Sequence, residues 1–121
     1  MMDIITTLLQ IIVPLGIFNV WLLRAQKSTV YRGKASKSLK EEFVAYGLSK
    51  WMFYLIGFLK VSAAIAILLG FLYPSLTALG AAVISVLMLG ALAMHFRVRD
   101  ALLKSLPAAL MLLMSLWLVF A

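Results

Sequence analysis

Residues 51–72 read WMFYLIGFLKVSAAIAILLGFL, twenty-two positions with a single charge, Lys60. About 20 mostly apolar residues are enough to cross a hydrocarbon core about 30 Å thick. Nothing in that core hydrogen-bonds a bare backbone, so the segment is expected to be a helix. Lys60 lies nine residues past Trp51, about 13–14 Å along a helix axis and close to the midplane. A charge there costs about 2.5–3.5 kcal/mol on the translocon scale. It shares a helical face with Phe53, Gly57, Ala64, Ile67 and Phe71, and the small Gly57 and Ala64 leave space beside it.

The same hydropathy pattern occurs on either side, over about residues 4–23, 76–96 and 101–121. The links Tyr73-Pro74-Ser75 and Arg97-Val98-Arg99-Asp100 are short, which makes the helices they join antiparallel. The expected fold is therefore all-α: one polytopic membrane domain over residues 1–121, an antiparallel bundle of four transmembrane helices. Composition agrees. The chain is 65% hydrophobic and 12% charged, with a mean hydropathy of +1.11, against about 45–50% and about 25% in soluble domains. A water-soluble domain and a disordered chain are both excluded.

Charge sets the expected orientation. Ten of the eleven Lys and Arg residues lie in or beside the loops at 24–50 and 97–100, and Lys60 is the other. Such loops stay cytoplasmic, so both termini are expected outside an integral protein of the cell (inner) membrane. No cation precedes the first apolar run and Asp3 stands there instead, which disfavours a cleaved signal peptide. The basic charge is thus a topology signal, and nucleic acid is not an expected partner.

The long loop holds more than charge. Ser38-Leu39-Lys40-Glu41 fits a capping box, and Leu39, Phe43 and Tyr46 occupy one helical face before Gly47. A short interfacial helix over Leu39–Tyr46 is expected, either a passive cover on the bundle end or a gate over a ligand pocket. Ser49 is placed to cap the second span, and Trp51 and Tyr54 suit an aromatic belt.

Polar groups inside the spans are the candidate site residues. Lys60 leads, with Gly57 and Ala64 beside it. Its bland alternative is snorkelling toward the cytoplasmic side. Asn19 is about 180° around the first helix from Gln10, away from the stripe of Thr7, Gln10, Pro14 and Trp21. Its alternative to ligand binding is an interhelical hydrogen bond. His95 ends the third span, either as a satisfied polar group or as a proton-transfer residue. The four carboxylates, Asp3, Glu41, Glu42 and Asp100, all lie outside the spans. With one histidine and no cysteine there is no expected metal site, disulfide or thiol chemistry, and no intrinsic cofactor site. No P-loop, dinucleotide turn or nucleophile–base pair marks a self-contained catalytic site. Pro107 is expected to free the Leu103 carbonyl and kink the fourth helix. Ala66-x-x-x-Gly70 and Ala81-x-x-x-Ser85 are spacings that let helices approach closely.

Several of these motifs carry a family resemblance. They are Tyr31-Arg32-Gly33 with Lys40-Glu41-Glu42-Phe43 and Tyr46-Gly47, then Ile56-Gly57-Phe58-Leu59-Lys60 with Ala63-Ala64 and Leu68-Leu69-Gly70, then Met88-Leu89-Gly90-Ala91 with His95. Together they resemble the DoxX-like family of small four-helix membrane proteins over nearly the whole chain. The chain departs from the family's commoner pattern at Lys60, where an acidic residue is usual. The resemblance implies a four-helix bundle and a link to quinone-linked redox complexes, while distant relatives look like receptor-assembly chaperones.

Two functions stay open. One is a quinone or other lipophilic-ligand-binding subunit of a membrane redox complex, with the ligand between Lys60, Asn19 and His95. The other is a non-enzymatic assembly or interaction protein, a homodimer or other homo-oligomer joined through its small-residue faces. A small multidrug exporter is the third class of this size, but those chains resemble one another in a glutamate inside the first span. Here the nearest acid is Asp3, at the edge.

Overall fold

The computed structural model describes residues 3–23, 38–45, 47–97 and 102–121. All regular structure among them is helical. Helix α1 runs Ile4–Phe18 and continues into a π-helical turn, Asn19–Leu23. Helix α2 runs Leu39–Ala45, α3 Lys50–Leu69, α4 Ser75–Arg97 and α5 Leu102–Phe120. Helices α1 with its π turn, α3, α4 and α5 are each long and apolar enough to cross a membrane. The chain is an integral membrane protein with a four-helix bundle.

Local chemistry sets the helix ends. The Asp3 carboxylate accepts from the Thr6 backbone N–H at 2.7 Å and caps α1. The Ser49 hydroxyl accepts from the Met52 N–H at 3.3 Å and caps α3. In α2 the Ser38 hydroxyl accepts from the Glu41 N–H at 3.2 Å. The far end of α2 closes as a Schellman motif: Leu48 N–H donates to the Phe43 carbonyl and Gly47 N–H to the Val44 carbonyl. Gly47 holds a φ of 80°, a conformation that suits glycine. A short helix is thus present over Leu39–Ala45, where the sequence places one; Tyr46 and the side chain of Leu39 lie outside the described residues. So do residues 24–37 and 98–101, most of the two basic loops.

Helix α3 stops at Leu69, short of the apolar run's end at Leu72. Gly70 caps it, and the Tyr73 N–H closes a turn onto the Leu69 carbonyl at 2.8 Å. Pro74 stands just before α4, where its missing N–H removes no helical bond. Pro107 is accommodated within a continuous α5.

The four long helices form a ring in which α1 and α4 each pack against both α3 and α5. Val13, Ile17, Ala64, Ile67, Ala81, Ile84 and Leu118 fill the centre. Large apolar side chains such as Leu8, Phe58, Val86 and Leu102 point outward, where lipid would lie. Lipid tails are as apolar as these side chains, so tight backbone approach must do the packing. A Cβ built on Gly80 would stand 2.6 Å from the Ala63 carbonyl oxygen, 3.0 Å from Ile67 Cγ1 and 3.2 Å from Ala66 Cβ. Gly70, Ala81 and Ser85 are buried as well. Both small-residue motifs therefore lie within the chain's own bundle, and contact with another copy would use other surfaces.

This packing predicts opposite responses from two glycines of α4. Gly80→Ala forces a methyl onto backbone and should destabilise the bundle by about 1–3 kcal/mol. A Cβ on Gly90 meets nothing within 4 Å, so Gly90→Ala should be neutral or stabilising by up to about 1 kcal/mol. Unfolding midpoints of the two variants in the same micelle measure the difference; equal shifts would reject the α3–α4 contact.

Candidate functional site

The π turn at the end of α1 places Trp21 against α3. A Cβ on Gly57 would overlap the indole, 2.6 Å from Cζ3 and 2.8 Å from Cε3. Trp21 occupies the space that Gly57 leaves open. It stacks with Phe53 of α3, centroids 5.2 Å apart, and meets Phe43 of α2 edge-on at 5.8 Å. Phe43 and Phe53 make a second edge contact at 5.4 Å, and Phe43 is buried. Aromatic pairs of this geometry add about 0.5–1.5 kcal/mol each beyond burial. Helix α2 thereby packs through Phe43 on the π turn and on α3. Lys40 of α2 also lies over the Tyr54 ring, at 5.7 Å.

Lys60 faces the same cluster. Its Nζ lies 5.4 Å from the centroid of the Trp21 ring, within cation–π range. Trp21 sits on Gly57, one turn nearer the α2 end, so the lysine stem runs toward that end as helix geometry favours. Its face is internal: Gly57, Ala64 and Ile67 are buried, while Lys60 itself is half-buried.

The remaining sequence candidates separate. Asn19 begins the π turn and is exposed. His95 is buried near the end of α4. Gly80 packs against Ala63 and Ile67, which makes Lys60 level with about residues 83–87 of α4 and sets His95 roughly 12–18 Å further toward the α2 end. Lys60, Gly57 and Ala64 therefore share one face, with His95 on another level and Asn19 outside. Ser85, buried and donating to the Ala81 carbonyl at 2.8 Å, stands at the level of Lys60. Among the described residues no three His, Asp or Glu side chains come together to hold a metal.

The opposite end, marked by Asp3, holds polar anchors that the sequence did not single out. Gln10 is fully buried, and its Nε2 donates to the Ile67 carbonyl and to Thr77 Oγ1, both at 2.9 Å. One side chain thus ties α1 to α3 and α4. Gly70 makes room for it, since a Cβ there would overlap Thr77 Oγ1. The Trp117 Nε1–H donates to Thr6 Oγ1 at 3.0 Å and joins α5 to α1. Gln10 Oε1 and Ser115 Oγ are buried with no hydrogen-bond partner among the described residues. Between the ends of α1, α4 and α5 lies a cleft of ≈ 980 Å³. Trp21 and Gln10 share a stripe visible in the sequence of the first span, so the inward placement of Gln10, buried, and Trp21, half-buried, had a signal; the choice of Thr6 and Thr77 as partners had none.

Four antiparallel spans, a short amphipathic helix and a lysine held on an internal aromatic face define a small four-helix membrane protein. The chain belongs to the DoxX-like family, whose family model matches residues 28–119. No curated protein and no solved structure matches it.

The Gln10 anchor predicts that Thr77→Val, which keeps the shape and removes the hydroxyl, lowers stability by about 0.6–2 kcal/mol. Unfolding in micelles measures it. No loss would show that Gln10 holds the bundle through the Ile67 carbonyl alone.

Proposed function

We propose that the chain binds a flat lipophilic ligand of quinone type beside Lys60 and serves as a membrane subunit of a redox complex. The contact that carries this reading is the Lys60 ammonium held over the Trp21 ring, deep along an apolar helix. A ring carbonyl beside that ammonium would accept a charge-assisted hydrogen bond. A reduced, anionic ring would be held more strongly, because preorganised charge favours charge that develops next to it. A flat ring would take over stacking that Trp21 and Phe53 now make with each other. Helix α2 is then the gate, since moving Phe43 uncovers the cluster. With no cysteine and one histidine in the chain, the electron carriers come from a partner protein.

Two measurements on one variant test this reading. Lys60→Met keeps length and apolar packing but removes the charge and its donors. Retention of a short-chain ubiquinone should fall about tenfold or more, while the bundle stays folded and its unfolding midpoint holds or rises as the desolvation cost disappears. Unchanged retention would remove Lys60 from the site and put the assembly-protein reading ahead.

The basic loops further support an orientation with the α2 end in the cytoplasm and both termini outside the cell membrane. Reporter fusions at Ala35 and Ala121 should read cytoplasmic and external, respectively. Cytoplasmic activity at Ala121 would reject the orientation.

A further inference from the structure

The cleft at the Asp3 end has a chemistry opposite to that of Lys60. Its walls are apolar and aromatic, among them Phe71, Leu113, Leu116, Trp117 and Phe120, and Asp3 is the one charged side chain that lines it among the described residues. At ≈ 980 Å³ it lies at the upper end of the size usual for small-molecule sites, about 300–1,000 Å³.

Asp3 and Trp117 are fixed on the same neighbour. Thr6 donates its backbone N–H to the Asp3 carboxylate at 2.7 Å and accepts the indole N–H of Trp117 on its hydroxyl at 3.0 Å. A carboxylate and an indole are thus held side by side at the mouth of an apolar cleft. The Thr6 N–H also holds the Asp3 carboxyl below its usual range, so it is anionic at neutral pH. No Lys or Arg occurs in residues 3–10, 68–78 or 110–121, the segments that meet at this end. An anionic head group would be repelled by Asp3 and would meet no Lys or Arg among the described residues that line the cleft. A neutral one would gain nothing from the charge of the exposed Asp3 carboxylate. A cationic head group would meet the carboxylate and the ring faces together.

We infer that this cleft binds an amphiphile with an ammonium head, the head between Asp3 and Trp117 and the tail along Leu113 and Leu116. The site is separate from the Lys60 cluster, and its ligand is opposite in charge preference. The ammonium belongs either to a free lipophilic amine or to an ethanolamine phospholipid of the surrounding leaflet.

The test uses the full chain in maltoside micelles with radiolabelled dodecyltrimethylammonium below its micellar concentration, alongside native mass spectrometry with mixed ethanolamine and glycerol phospholipids. Asn caps a helix as well as Asp, so Asp3→Asn removes the charge and keeps α1. Saturable binding of the free amine that weakens about threefold to tenfold in Asp3→Asn, and persists in Asp3→Glu and Lys60→Met, would support the cleft as a site for a free cation. Preferential retention of the ethanolamine lipid, lost in Asp3→Asn while the free amine does not bind, would support it as a lipid site. Equal binding by parent and Asp3→Asn would overturn the proposal, as would no saturable amine binding together with equal retention of both lipids. Trp117→Leu separates aromatic recognition from simple charge: it should weaken the amine while the fold, checked by its unfolding transition, persists. Because Lys60→Met enters only as an unaffected control, failure here leaves the proposed quinone site untouched.

Discussion

Hydrocarbon offers no partner to a backbone N–H or carbonyl, and it removes the hydrophobic drive that packs helices in water. The first fact makes every span of this chain a helix. The second leaves the bundle to be held by close contact and a small number of internal hydrogen bonds. Gly80 against the Ala63 carbonyl brings α3 and α4 together. Gln10, donating to Ile67 and Thr77, ties α1 across both of them. Trp117 on Thr6 joins α5 to α1. These contacts concentrate toward the Asp3 end, where the α3–α4 turn is also short.

The other end is organised by aromatic rings. Trp21, Phe43 and Phe53 meet in mutual stacked and edge contacts, and Lys60 reaches up to them from the middle of α3. Trp21, the ring that links them, lies within the π turn that ends the first span; such turns occur often at functional sites. Through Trp21 the first span, α2 and the Lys60 charge of α3 are in contact. The two ends of the bundle differ in chemistry as a result: one presents a cation on aromatic faces, the other a carboxylate on an apolar cleft.

Legibility from the chain tracks whether the information is local. Helix caps at Ser38 and Ser49, the end of α2 at Gly47 and the presence of four apolar helices are dictated by neighbouring residues, and each is found. The second span ends three residues earlier than its hydropathy indicates, because the apolar run continues through Leu72 while the backbone already turns at Gly70. Lys60 stands out as a charge in an apolar run, and its interior-directed face is readable from the spacing of Gly57, Ala64 and Ile67. What fills the space beside it is not readable. The clearance that Gly57 offers is taken by Trp21, thirty-six positions earlier in the chain.

The class of protein, the number of helices and the position of each charge along its helix are written in the amino-acid order, because hydropathy, capping and the cost of burying charge act over a few residues of one segment. Which polar groups work together emerges only when the four helices are packed. Packing sets Asn19 on the outside and Gln10 at the centre, places His95 on a different level from Lys60, and opens a cleft beside Asp3. The azimuth of one helix against three others is fixed by steric fit and by hydrogen-bond partners distant in the chain, and no local pattern encodes either.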